Sequence, residues 1–211
     1  MTSSALFRLT ALAGIASAVV LVFNFLRRAE VVPDLAATQA LAPLSATFGL
    51  IAVTGLFLWH RREGRVGTAG TAGYATNLLG LSGIVGIEYI ANVIFPRLDD
   101  AVVDDLVAGP AGTVFMVISI VFLLGVLAFT GVLLRGGLVP RAAAALYGAG
   151  FATIALRALL PDAAVATGGF AAAAGLAVMS LTLYRRVDTS RAIPSRAARR
   201  TDSTVVLKSS R

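Results

Sequence analysis

The stretch AGTVFMVISIVFLLGVLAFTGVLL, Ala111–Leu134, runs for 24 residues without a charged side chain. At 1.5 Å per residue a helix of that length is about 36 Å long, more than the roughly 30 Å hydrocarbon core of a bilayer. A helix that is apolar all round has no face to offer water, and in lipid only helices and closed barrels satisfy their own backbone. The stretch therefore predicts a transmembrane helix. Five more apolar stretches flank it: Leu9–Leu26, Leu35–Trp59 and Tyr74–Phe95 before it, Arg141–Leu160 and Ala163–Tyr184 after it. None alternates with period two, which sets aside a porin-like barrel. The expected fold class is all-α, a polytopic membrane bundle of six transmembrane helices over residues 1–186, with length enough for a seventh. Composition agrees: 57% of the 211 residues are apolar and 14% charged, with mean hydropathy +0.85. A soluble domain carries about 25% charged residues.

Pro33, Pro96, Pro110, Pro140 and Pro161 stand at the edges of these stretches. Little more than Pro161-Asp162 separates the last two, which predicts a tight antiparallel hairpin. Ala16-Ser17-Ala18 is cleavage-like, but the apolar run continues to Leu26, so the first stretch is read as a retained helix. Fourteen of the 18 Lys and Arg fall on the side of the termini and of the second–third and fourth–fifth connections. The other side holds Arg27, Arg28, Arg97 and Arg157, together with the acids Glu30, Asp34, Asp99, Asp100, Asp104, Asp105 and Asp162. The positive-inside rule then predicts a multi-pass protein of the cell membrane with both termini cytoplasmic. The same asymmetry accounts for the net charge of +7. The polar, arginine-rich segment 187–211 reads as a disordered tail touching anionic lipid headgroups, rather than a nucleic-acid binder. The absence of cysteine excludes disulfides, thiolate metal sites, iron–sulfur clusters and cysteine nucleophiles.

Glu88 is the residue that such a span should not contain. Counted back from Phe95, it lies roughly 10 Å inside the outer boundary, where an ionisable group costs on the order of 2–3 kcal/mol even on lenient scales. Asn92 follows one turn later and Asn77 precedes it by three turns, so Asn77, Leu81, Ile84, Glu88 and Asn92 form one stripe facing the bundle interior. Interhelical glue is ordinarily Ser, Thr, Asn or Gln. A glutamate there points to chemistry, and an apolar setting that favours the neutral carboxyl casts it as a proton donor. Arg157 is the one cation well inside a span; it can neutralise Glu88, pair with Asp162, or snorkel to the interface. Asp162, at the hairpin turn, either caps a helix or, with the last two helices packed beside the third, supplies a second carboxyl in the same outer half as Glu88.

Asp99-Asp100-Ala-Val-Val-Asp104-Asp105 has nearly the spacing of a magnesium–diphosphate motif. It is one residue longer than that motif and lacks a second copy. Leu98, Val102, Val103, Leu106 and Val107 instead make it the apolar face of a short interfacial helix with its aspartates in water. His60, the sole histidine, follows Trp59 at the inner boundary and is assigned to the aromatic belt. Gly80, Gly83 and Gly86 suit close helix contact. No Walker loop, dinucleotide fingerprint or zinc motif is present, and the site is expected to need no metal or cofactor.

The segment Ile87-Glu88-Tyr89-Ile90-Ala91-Asn92-Val93-Ile94-Phe95-Pro96 resembles one found in the small integral-membrane terpene cyclases of fungal meroterpenoid and bacterial drimentine-type pathways. Their pattern is an intramembrane Glu, an aromatic-rich run and an aromatic-Pro close, often with Trp where this chain has Ile87. The resemblance implies that Glu88 acts as Brønsted acid on an epoxide or alkene, that Asp162 assists, and that the partner is a lipophilic isoprenoid arriving laterally from the bilayer. Phe48, Tyr89, Phe122 and Phe170, with Phe23, Phe25 and Phe115, are the rings predicted at the right depth to face a cation, and Asn77, Asn92 and Arg157 complete the candidate binding set. Two other functions fit the residues: a proton-coupled carrier with Glu88 as relay, and a membrane accessory protein in which Glu88 is structural. A cyclase needs a closed apolar pocket at Glu88, a carrier a polar passage to both faces, an accessory protein neither.

Overall fold

A computed structural model of the chain describes residues 3–191. Among these there is no strand, and seven α-helices follow in order: α1 Ser3–Arg28, α2 Ala36–Arg62, α3 Thr68–Tyr89, α4 Asp100–Ala108, α5 Pro110–Gly136, α6 Arg141–Ala155 and α7 Asp162–Arg191. Between α3 and α4 the chain continues as a π-turn, Ile90–Ile94, and a 3₁₀ turn, Phe95–Arg97. The expected tail falls outside the described residues except for its first few, which extend α7 beyond the expected end at Tyr184.

Prolines place the helix ends where the missing N–H costs nothing. Pro110 opens α5, Pro140 caps α6 and Pro161 immediately precedes α7. Gly137 ends α5 in the left-handed conformation (φ 66°), its N–H donating to the Leu133 carbonyl. Five helices, α1, α2, α3 with its π-turn, α5 and α7, are long and apolar enough to cross a bilayer. The sixth expected span is cut short. α6 has 15 residues, about 22 Å, because turns at 156–159 and Pro161 stop it before Arg157.

The six long helices close into a ring in the order α1, α2, α3, α5, α6, α7 and back to α1. The α6–α7 hairpin therefore packs against α5 and α1, not beside α3 as the shared-half argument for Glu88 and Asp162 assumed. Small residues set the closest crossings, because in lipid packing rather than water expulsion holds helices together. A Cβ on Gly80 would lie 2.3 Å from the Phe122 Cα, and one on Gly125 would lie 2.3 Å from the Asn77 Cα, so α3 and α5 touch backbone to backbone. Gly83 faces Ile118, whereas Gly86 faces open space. Between α1 and α2, Ser17 and Ser45 donate to each other's carbonyls at 2.7 and 3.3 Å, and Asn24 Nδ2 donates to the Ala42 carbonyl at 3.0 Å.

At the end holding the termini, Arg8 lies over the Tyr184 ring and Arg62 over Phe7. In this half the axis is solid: Leu56, Phe57, Phe129, Leu133, Met179 and Leu183 are all buried, and Phe57 stacks on Tyr74 at 3.9 Å. His60 is wholly buried here, its Nδ1 2.8 Å from the Leu56 carbonyl, rather than standing in an interfacial belt. The close approach of Gly136 makes room for its ring. At the opposite end, α4 leaves its four flanking and internal aspartates exposed and turns Val103 and Val107 toward the bundle.

Candidate functional site

In the half remote from the termini, called the outer half after the side expected of it and the other the inner half, the ring axis is open. A narrow cavity of about 60 Å³ runs along it, with wall residues from all six ring helices. Tyr147 closes its floor and Asn77, outside the cavity wall, braces it: Asn77 Nδ2 donates to the Tyr147 hydroxyl at 3.4 Å, joining two helices that are not neighbours in the ring. Phe25, Phe122, Tyr147 and Phe151 supply the aromatic walls, with Phe151 edge-on to both Phe122 and Tyr147. Leu81 and Ile84 carry the α3 stripe upward from this floor to Glu88 at the mouth.

Glu88 does not stand in the apolar setting expected of a proton donor: two guanidinium groups and an amide hold it from three directions. Arg157 Nη1 lies 3.6 Å from its Oε1 and Arg28 Nη2 lies 3.8 Å from its Oε2. Asn92 Nδ2 donates to Oε2 at 2.9 Å and to the Glu88 carbonyl at 2.8 Å. The helix makes this last bond possible by widening. Pro96 offers no N–H to the Asn92 carbonyl and its ring would crowd that carbonyl in a regular α-helix. The chain winds as a π-turn over Ile90–Ile94, and Asn92 folds back onto Glu88. Arg97 takes up the adjacent Val93 carbonyl.

Above the mouth is a wider vestibule of about 490 Å³, bordered by Arg27, Arg28, Asp34, Asn92, Phe115 and Arg157 among others. Arg27 donates Nη1 to Asp34 at 2.8 Å and Nη2 to the Asn92 side-chain oxygen, so one chain of polar contacts links α1, the α1–α2 turn and α3. The side chains of Arg28 and Arg157 are 44% and 38% exposed, and water softens their attraction to Glu88; the Arg27 side chain is 8% exposed.

The structure brings together only part of the expected set. Glu88, Arg157 and Phe122 line the cavity, Asn92 grips Glu88, and Asn77 anchors the floor. Arg157 pairs with Glu88; no ion pair to Asp162 is present among the described residues. Asp162 is exposed in the first turn of α7 and borders a separate hollow with Phe25, Arg28 and Val165, which also line the cavity. Tyr89 is 52% exposed and Phe170 40%, both on the outside of the ring, and Phe48 is half-buried away from the cavity. A helix stripe places every third or fourth residue inward, and Tyr89, next to Glu88, is turned out by that rule.

The residues that sequence reasoning missed are Arg27, Arg28, Asn24, Tyr147 and Phe151. For the arginines a signal existed. Of the four basic residues on the acidic side, three converge at this mouth. No protein-family model matches the chain, nor does any curated protein or solved structure.

Proposed function

We propose that this chain is a multi-pass protein of the cell membrane that admits a lipophilic isoprenoid to the ring axis and starts its cyclisation by proton transfer from Glu88. The observation that carries this reading is a carboxyl at the mouth of a closed slot walled by four aromatic rings. In the proposed reaction Glu88, released from Arg28 and Arg157 by the incoming ligand and protonated from water, gives its proton to an alkene carbon or an epoxide oxygen. The electrons of the next double bond capture the resulting cation, and loss of a proton from the final cation to the Glu88 carboxylate restores the acid and leaves an isomer of the substrate. Aromatic faces stabilise the passing cation, and a dry slot keeps water from quenching it. Before the ligand enters, Arg157 and Asn92 hold the carboxyl in place; during the reaction Asp162 assists from beyond Arg28. The open volume of about 60 Å³ is below the roughly 150 Å³ that admits benzene. An isoprenoid therefore requires the apolar wall of the slot to part. The filled inner half supports an enzyme over a carrier, which would need a polar path through Phe57, Phe129 and Leu133.

Glu88→Gln keeps the size of the side chain and removes its transferable proton. Turnover of an isoprenoid substrate should fall about 10²–10⁴-fold, the usual loss with a general acid, while helicity and melting temperature stay unchanged. Asp162→Asn should have a smaller effect. Full turnover in a folded Gln variant would assign Glu88 a purely structural part. The positive-inside asymmetry supports cytoplasmic termini. Reporters fused after Arg62 and after Asp105 should then report opposite sides, and a common side would displace Glu88 from the outer half.

A further inference from the structure

Arg27, Arg28 and Arg157 share the vestibule mouth with two partner carboxylates, Asp34 and Glu88. The cluster thus holds one cation more than its carboxylates balance. Asp162 does not make up the difference by contact, since its hollow brings it no ion pair with Arg28 among the described residues. Arg27 is the most telling member. Its side chain is 8% exposed, yet its Nε has no hydrogen-bond partner. Below it, on the cavity wall, Asn24 is 7% exposed and its side-chain oxygen is likewise unpartnered. Unmet polar atoms on buried groups cost free energy, and a charged group more than a neutral one. Here they border a hollow that is cationic above and apolar below.

That division is the outline of an amphiphile. Building on the lipophile site proposed above, we infer that the vestibule and slot bind a single-chain amphiphile with a phosphate head group. The phosphate sits among Arg27, Arg28 and Arg157, and the chain descends past Glu88. Planar guanidinium forks match phosphate oxygens in pairs; Arg28 and Arg157 offer such forks and Arg27, whose Nη atoms hold Asp34 and Asn92, offers its Nε, a set that suits a group with three free oxygens better than a carboxylate with two. The slot must part even for one chain, which disfavours a lipid with two. A phosphate between Arg28 and Arg157 competes with Glu88 for both, so binding the head frees the carboxyl to face the chain. The head-bearing end of the ligand is then the end that meets Glu88.

The test is calorimetric titration of the purified full-length protein, in zwitterionic detergent, with farnesyl monophosphate and with farnesol. The phosphate is expected to bind at least tenfold more tightly, and added salt should narrow the gap. Arg27→Gln combined with Arg157→Gln should abolish the preference while farnesol still binds. Gly49→Ala should weaken both ligands, since it adds a methyl to the slot with only ordinary contacts, 3.5 Å to Ser17 and 3.7 Å to Leu81. Equal affinity for the two ligands, or a preference that survives the double substitution, would overturn the inference. So would displacement of farnesyl phosphate by an equal concentration of two-chain phosphatidylglycerol, which would make the site one for bulk lipid. The same titration of the Glu88→Gln protein separates the two proposals. A preference retained in a Gln protein that has lost turnover supports both; a preference retained with full turnover leaves only the phosphate site, and loss of turnover in the Gln protein with no preference in either form leaves only the acid.

Discussion

The two halves of the bundle are made from the same amino acids and differ in what they do with the ring axis. The inner half fills it: Phe57 on Tyr74, Phe129 beside them, Leu133, Met179 and Leu183 around them, and even His60 buried whole. The outer half leaves it open and borders the gap with Glu88, three arginines and two asparagines. It is also where the backbone departs from regularity, through Pro43 inside α2, the π-turn before Pro96, the early stop of α6 and Glu30 in the left-handed region at φ 59°. Unsatisfied backbone and ionised side chains are expensive in lipid and tolerated where they border a cavity. The regular half secures the ring, and the irregular half holds the cavity and its charged mouth.

The comparison can be broken at several points. The loss of turnover expected of Glu88→Gln is the largest effect and belongs to the outer half alone. Next is Phe129→Ala, which opens a void in the filled half and should cost about 3–5 kcal/mol of stability without changing ligand affinity. Its outer counterpart, Phe122→Ala, enlarges an existing cavity. It should cost less in the same melting or denaturant assay and admit bulkier ligands. Equal costs would mean that the outer half is as tightly packed as the inner. Gly49→Ala, inside α2 with only ordinary contacts, should raise stability by about 0.4–1 kcal/mol, so a weakened ligand there reads out slot volume rather than folding. Smallest is Glu30→Gly, in which relief of a left-handed non-glycine residue is largely offset by the freedom glycine adds to the unfolded chain, so stability should rise by only about 0.3 kcal/mol, seen as a slight rise in melting temperature.

The legible part of the site was its stripe. Helical spacing alone put Asn77, Leu81, Ile84, Glu88 and Asn92 on one face, and in the structure Asn77, Leu81 and Asn92 are buried while Ile84 and Glu88 line the slot. The aromatic assignments fared unevenly because depth along a helix says nothing about azimuth. Phe122 faces the axis, whereas Phe170 and Tyr89, at suitable depth, face outward. Asp162 was placed near Glu88 on the premise that the last hairpin packs against α3. The ring puts α5 and α1 in that position instead. The aspartate-rich segment was readable as an amphipathic helix because its period of apolar residues is local.

What the sequence determined by itself is what depends on neighbours within a turn or two: helix positions, the prolines that end them, the charge asymmetry and the inward stripe of α3. Each follows from chain-local sterics or from the transfer free energy of side chains into lipid. What only the tertiary structure decided is the closing of the ring. In lipid no general hydrophobic force draws helices together, and their order is set by where glycines allow backbones to touch, as Gly80 and Gly125 do between α3 and α5. Closing the ring brings Arg28 from the end of α1 and Arg157 from beyond α6 to the same carboxylate, 60 and 69 positions away in the chain. No local pattern encodes that meeting, because it rests on six helices holding one another at distances fixed by packing.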